Sequence, residues 1–189
     1  MPHKFRVEDL HRLESAERHR SMPPKRTLRA LGLKRGMVFA DVGAGTGFFA
    51  LPAAQLVGQA GRVYALDVQE PMLDALRAKK PPPWLEVLAC SESSLPLPAA
   101  AADMVFCCFV LHETEDPAAL LREMGRVAKP HAPVVALEWA KIHHPEGPPF
   151  EERIHHHRAE ELFLKAGLCF KRLEFFNPSQ YAVAGFRKP

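Results

Sequence analysis

Met37-Val38-Phe39-Ala40-Asp41-Val42-Gly43-Ala44-Gly45-Thr46-Gly47 runs from an apolar stretch straight into three glycines set at every second position. Met37 to Val42 has the length and content of a buried strand. The glycines let the backbone bend sharply and approach a ligand with no Cβ in the way. Phe48 to Val57 reads as the following helix, whose first N–H groups would face that ligand. A dinucleotide-binding turn, G-x-G-x-x-G, needs glycine where this chain has Phe48. The pattern here is G-x-G-x-G, and the bulky aromatic leaves poor room for a pyrophosphate.

Outward from that turn the chain alternates strands and helices, the signature of an α/β fold with a parallel sheet. Arg62 to Leu66 is a second strand, and Asp67 ends it at the ~20-residue distance from the glycines where an acid meets a ribose hydroxyl pair. Pro71 to Lys80 reads as a helix, and Met72 within it fits either the core or one face of an adenine, its thioether being soft and polarizable. Trp84 to Ala89 and Asp103 to Val110 read as strands, Pro117 to Ala128 as a helix, and Pro133 to Trp139 as a fifth strand. Glu151 to Ala166 reads as a last helix capped by Gly167. Leu168 to Phe176 and Tyr181 to Phe186 form an antiparallel hairpin turning at Asn177-Pro178-Ser179. Before the sheet lie a charged helix, Val7 to Arg20, and a short helix opened by Pro23-Pro24 with Leu28, Leu31 and Leu33 leading to Gly36.

Composition bounds the rest. At 189 residues and 47% hydrophobic content the expectation is one domain, with an N-terminal helical cap over 1–35, a core over 36–141, and a C-terminal helix and closing strands over 142–189. The 25 basic and 22 acidic residues nearly cancel to +3, so charge does not call for nucleic acid and leaves it open. Apolar runs such as Met104 to Leu111 fall far short of the ~20 residues of a membrane span. Met1-Pro2-His3-Lys4 leads into charged sequence, and a cytoplasmic protein is expected. Cys90, Cys107, Cys108 and Cys169 show no CxxC spacing and read as reduced thiols, with Cys107 and Cys108 on opposite faces of a strand. His155, His156 and His157 do not make a metal site on a helix, because neighbours there point about 100° apart, and no metal is expected.

Asp41-Val42-Gly43-Ala44-Gly45-Thr46-Gly47 and Val63-Tyr64-Ala65-Leu66-Asp67, followed by Leu95-Pro96-Leu97-Pro98, Phe109-Val110-Leu111-His112 and Arg126-Val127-Ala128-Lys129-Pro130, resemble the ordered motifs of the class I S-adenosylmethionine-dependent methyltransferases. The branch it most resembles is that of the ubiquinone and menaquinone biosynthesis methyltransferases, from about Lys25 onward. The resemblance implies a Rossmann-like, doubly wound, seven-stranded, mostly parallel sheet with a reversed last strand. It implies that Asp41 orients the turn and the cofactor's amino group, that Gly43, Ala44, Gly45 and Gly47 pass under the methionine moiety, and that Asp67 holds the ribose with Val68 and Met72 near the adenine. Relatives carry an acid four residues before Leu-Pro-x-Pro, where this chain has Ser91 followed by Glu92, so both are candidates for the adenine amino group. Phe109 ends the fourth strand, where backbone groups meet the cofactor's methionine end.

A sulfonium methyl is already activated, and aligning a nucleophile contributes ~7 to 11 kcal/mol. A general base helps a hydroxyl or acidic C–H acceptor, and His112, then Glu113, are placed for it at the end of the fourth strand. The segment from Ile142 to His157 is expected beside the acceptor, with the N-terminal helix as a lid. The main reading is methyl transfer to a small molecule. An RNA or protein methyltransferase would need a basic groove, which Arg18, Arg20, Lys25 and Arg26 could start unless they form a solvated helix face. Neither an Asn/Asp-Pro-Pro-aromatic motif nor a Pro-Cys motif stands at the fourth strand. A nicotinamide oxidoreductase is disfavoured by Phe48, and a cofactor-binding protein without turnover is the remaining alternative. Acceptor and oligomeric state reside in shape, which no motif encodes.

Overall fold

The computed structural model of the chain describes residues 14–188. Seven strands follow one another as β1 (Val38–Val42), β2 (Arg62–Asp67), β3 (Leu85–Ala89), β4 (Met104–Cys108), β5 (Pro133–Trp139), β6 (Cys169–Asn177) and β7 (Gln180–Phe186). They lie side by side as β3-β2-β1-β4-β5-β7-β6. Neighbours from β3 to β5 are parallel, whereas β7 enters antiparallel between β5 and β6. The order reverses at β1, so the two chain crossovers leave in opposite directions and open a crevice at the strand C-termini. Both the glycine turn and Asp67 lie at that end.

The described helices are α1 (Ala16–Ser21), α2 (Pro24–Leu31), α3 (Ala50–Val57), α4 (Glu70–Ala78), α5 (Pro117–Val127) and α6 (His156–Lys165). Strand β4 is buried along its whole length and β1 over all but its first residue, because helices cover both faces; central parallel strands therefore read as nearly continuous apolar runs. One core joins Val42, Leu66, Val105 and Cys107 to Leu121 of α5 and Phe163 of α6. The other joins Phe39, Ala65, Phe106 and Cys108 to Leu28 of α2 and Ala53 of α3. Cys107 and Cys108 thus face opposite cores. No helix among the described residues is long and apolar enough to cross a membrane.

Most boundaries agree with the sequence expectation to within two residues, and three departures bear on the site or its flanks. Strand β4 stops at Cys108 because Phe109 takes a left-handed backbone (φ 62°) and a 3₁₀ turn, Leu111–Glu113, follows. The last helix does not run from Glu151: a 3₁₀ turn occupies Phe150–Glu152, Arg153 is extended, and α6 starts only at His156, capped by the His155 ring. The cause is tertiary. The buried Arg153 guanidinium donates to the carbonyls of Ile142, His144, Glu146 and Pro148, and Tyr181 donates to the Ile154 carbonyl at 2.7 Å. Of the helix expected over Val7 to Arg20, residues 7–13 lie outside the described range, and the described part forms α1, capped by Ser15.

The turn itself is fastened to β2. The Gly43 and Ala44 N–H groups both donate to the Leu66 carbonyl, at 2.8 and 2.9 Å. Gly43 has φ 72°, and a Cβ there would lie 2.3 Å from Val110 Cγ2, a stiff β-branched side chain. Gly43→Ala is therefore expected to lower stability by about 1–3 kcal/mol or more, read from denaturant midpoints. An unchanged midpoint would show that the turn can relax.

Candidate cofactor and acceptor site

Asp67 does more at the strand end than meet solvent. Its Oδ2 accepts from the Gly45 N–H at 2.8 Å and its Oδ1 from the Gln69 N–H at 2.9 Å. One carboxylate thereby fixes both the glycine turn and the start of α4. Asp41, at 2% exposure on β1, keeps its Oδ2 without a hydrogen-bond partner among the described residues. Burial pushes its carboxyl up to about 7, with the Asp67 charge adding to the effect and Arg18 and the Ala50 N–H opposing it. An unsatisfied buried oxygen is costly, and the residue that carries it borders a cavity.

That cavity measures about 600 Å³, within the usual range for small-molecule sites. Asp41, Gly43, Ala44 and Gly45 line it at one end, as do Asp67, Val68 and Met72. Ser91 and Glu92 both reach it, and so do Phe109, His112 and Glu113. Gly47 is the exception: it stands off the wall, and a Cβ there would meet Leu76 Cδ1 at 2.4 Å, so its role is to let α4 pack against the turn. Glu92 also accepts from the Glu115 N–H at 3.0 Å, while Ser91 pairs through its backbone with Ser94.

Two segments close the cavity. From the amino-terminal side, Ser15, Glu17, Arg18 and Ser21 line it. Glu14 accepts from Thr46 Oγ1 at 2.6 Å and from Lys79, whose ammonium also reaches the Thr46 carbonyl at 2.8 Å. From the other side comes the loop after β5, with Pro145, Gly147 and Pro149 in the wall, held by Arg153. The left-handed turn at Phe109 lays its ring against Trp139, centroids 4.8 Å apart and planes 21° from parallel.

His112 is tied to a carboxylate that no sequence motif marks. Its Nδ1 lies 2.7 Å from Glu138 Oε2, both side chains almost fully buried, and Glu138 Oε1 accepts from the Leu111 N–H at 2.8 Å. With Nδ1–H donated to Glu138, the Nε2 lone pair is left for the cavity. Glu113 Oε1 stands 3.8 Å from Nε2. Burial alone would lower the His112 pKa, but the Glu138 charge and hydrogen bond, with Glu113 and Glu152 behind them, raise it above its ordinary value. The available signal for Glu138 is a lone Glu in the apolar run Val134-Val135-Ala136-Leu137-Glu138. Arg18 is a wall residue too, although its sequence neighbours suggest only the charged face of a helix. The rings of His155, His156 and His157 pack against one another at tilted angles at the start of α6, and the described residues hold no group of three metal-ligating side chains.

A doubly wound sheet with a reversed β7, a glycine turn after β1 and an acid ending β2 defines a nucleotide-cofactor enzyme of the class I methyltransferase fold. A family model described as a methyltransferase domain matches residues 40–136. The chain belongs to that family, the S-adenosylmethionine-dependent methyltransferases. It is 31% identical over 136 residues to a demethylmenaquinone methyltransferase of Oceanobacillus iheyensis, covering 70% of this chain and 57% of that one. It is 34% identical over 113 residues to the enzyme of the same name from Lysinibacillus sphaericus, covering 59% and 48%. The chain thus spans about half the length of these curated relatives. A crystal structure of a SAM-dependent methyltransferase from Aquifex aeolicus superposes with a TM-score of 0.91 at 33% identity, over 96% of this chain and 98% of that one.

The raised Asp41 pKa has a consequence for stability. Unfolded Asp41 ionises near 3.8 and the folded group near 7, so the folded state holds the extra proton between these values. Stability from this group is present below pH 3.8 and is lost as pH rises through 7. Melting of the ligand-free protein across that window should fall less steeply with pH for Asp41→Asn than for the wild type. Parallel curves would show that Asp41 titrates normally.

Proposed function

We propose that this chain methylates a small aromatic acceptor carrying an acidic hydroxyl, with S-adenosylmethionine as donor and His112 as general base. The observation that carries the reading is His112, held from behind by Glu138, in the wall of the cavity that the glycine turn also lines, together with the stacked Phe109 and Trp139 rings. Relatives named for demethylmenaquinone support a ring-shaped acceptor, and so does the flat aromatic surface. The residues present fit the donor. Asp41 offers an unpartnered buried oxygen to an ammonium group, and Asp67, fixed by the Gly45 and Gln69 N–H groups, brings a carboxylate to the cavity wall where ribose hydroxyls would donate to it. Val68 and Met72 flank the adenine region, and Ser91 and Glu92 supply its polar edge.

When bound, S-adenosylmethionine supplies a methyl group on a positively charged sulfur. The protein's own work is to position the acceptor and take its proton. The ring lies along Phe109 and Trp139, and its hydroxyl donates to His112 Nε2. As the acceptor attacks, that proton passes to Nε2, and Glu138 offsets the charge that develops on the imidazole. The cap over α1 and the loop held by Arg153 keep water from the reacting atoms.

The test is methyl-labelled S-adenosylmethionine with a panel of phenols and quinols, followed for transfer against pH. Transfer should rise as His112 loses its proton, with a midpoint above the ordinary 6.5. His112→Ala should lower kcat by ~10²-fold or more. Glu138→Gln should lower the midpoint, because the charge and hydrogen bond that chiefly oppose burial are lost and only Glu113 and Glu152 remain to offset it. A His112→Ala enzyme with undiminished kcat would refute the base assignment.

A further inference from the structure

Residues 20–35 hold Arg20, Lys25, Arg26, Arg29, Lys34 and Arg35 and no acidic residue, whereas the rest of the chain carries 19 basic and 22 acidic residues. All six cations are exposed. Helix α2 turns Pro24, Thr27, Leu28 and Leu31 inward onto the core, which leaves Lys25, Arg26 and Arg29 together on its outer face. Arg29 stands four and three positions after the other two, so the charges are neighbours that repel. Lys25 and Arg26 also sit in the first turn, at the positive end of the helix dipole, with no acid beside them and no side-chain cap from Pro23. Among the described residues none of the three forms an ion pair. Helix α3, packed against α2, brings no charged residue to this side. A local arrangement that costs stability with no compensating contact points to function.

We infer that the outer face of α2, with the cations flanking it, docks the protein on an anionic lipid bilayer. Charge requires an anionic partner, and the rest of the face decides its kind. The other exposed residues of this stretch are Ser21, Pro23 and Ala30. It therefore offers no aromatic ring to stack a base and no large apolar anchor of the sort that centres a protein interface. A nucleic acid presenting a base to the cavity would also draw its phosphates past Glu17, Glu92, Glu113, Glu146 and Glu152, all in the cavity wall. A bilayer needs neither kind of contact: dispersed headgroup charge meets dispersed basic charge within a Debye length. The apolar side of α2 is committed to the core, so the attachment is electrostatic and without insertion. Ser21, at the start of this stretch, lines the cavity, and docking brings that edge of the cavity to the membrane. The surface stands apart from the methyl-transfer reading; given that reading, an aromatic acceptor dissolved in lipid reaches the cavity at this edge.

The experiment is co-sedimentation of the full chain with phosphatidylcholine vesicles, with and without roughly a third phosphatidylglycerol. The wild type should bind the mixed vesicles and not the neutral ones, and should release them as salt rises from about 0.1 M to about 0.5 M. Lys25→Gln/Arg26→Gln/Arg29→Gln should bind the mixed vesicles ~10- to 100-fold more weakly. Lys165→Gln/Lys171→Gln/Arg172→Gln, which removes the same charge from α6 and β6, should stay within about threefold of the wild type. Neither set lines the cavity, so S-adenosylhomocysteine affinity should be the same in all three proteins. Its absence from the wild type would count against the cofactor reading and leave the vesicle result standing. The α2 variant should melt no lower than the wild type, since like-charge repulsion is relieved; a lower melting temperature would show that these side chains serve the helix itself and would overturn the inference. Equal binding to both vesicle types, equal loss in the two variants, or no binding by the wild type would overturn it as well. So would binding of an RNA hairpin that depends on α2 while vesicles are ignored.

Discussion

Two carboxylates held out of water at the ends of adjoining strands are the constraint on which the rest of this molecule depends. Asp41 lies in β1 and Asp67 ends β2, with Val42 and Leu66 paired in register between them. Like charges buried so close disfavour ionisation, and the fold answers in two ways. Backbone N–H groups of the turn and of α4 are spent on Asp67. Asp41 is left with a half-satisfied carboxyl and the Arg18 cation nearby. A ligand with positive charge at this end relieves what the protein alone does not.

The glycines follow from that geometry. A turn that folds back over β2 tightly enough to hand the Gly45 N–H to Asp67 runs through left-handed backbone at Gly43, Gly45 and Gly47. Side chains are excluded at Gly43 by Val110 and at Gly47 by Leu76. The same strand-end position gives the loops after β4 and β5 their reach. His112 comes from the first and Trp139 leads into the second, so both reach the wall of the cavity that the glycine turn lines.

What is legible in the sequence is local. The apolar run ending in Asp41, the glycine spacing and Asp67 at the close of β2 are each set by neighbours a few residues away, and pattern reading finds such features. The antiparallel hairpin at the sheet edge is legible for the same reason, its turn chemistry lying at Asn177-Pro178-Ser179. Arg18 is not, because its meaning depends on Phe48, thirty residues on, coming within 4.2 Å. Glu138 is hidden inside an apolar strand until His112 is seen to lie 2.7 Å away. The overlong last helix fails because helical propensity across Glu151 to His155 is outweighed by Arg153 clasping four carbonyls of the loop just before it, a set of contacts that no helical or strand periodicity marks. Gly47 shares the spacing of its cavity-lining neighbours, and only the structure shows that it stands off the wall and against Leu76.

The most direct measurement is the melting temperature of the protein with saturating S-adenosylmethionine, S-adenosylhomocysteine or NAD. At ~100 times its dissociation constant a ligand adds ~2.7 kcal/mol, or about 5–10 °C for a chain of this size. The account predicts shifts of that order with the first two, lost in Asp67→Ala, and none with NAD. A shift with NAD alone, or no shift with any of the three, would contradict it.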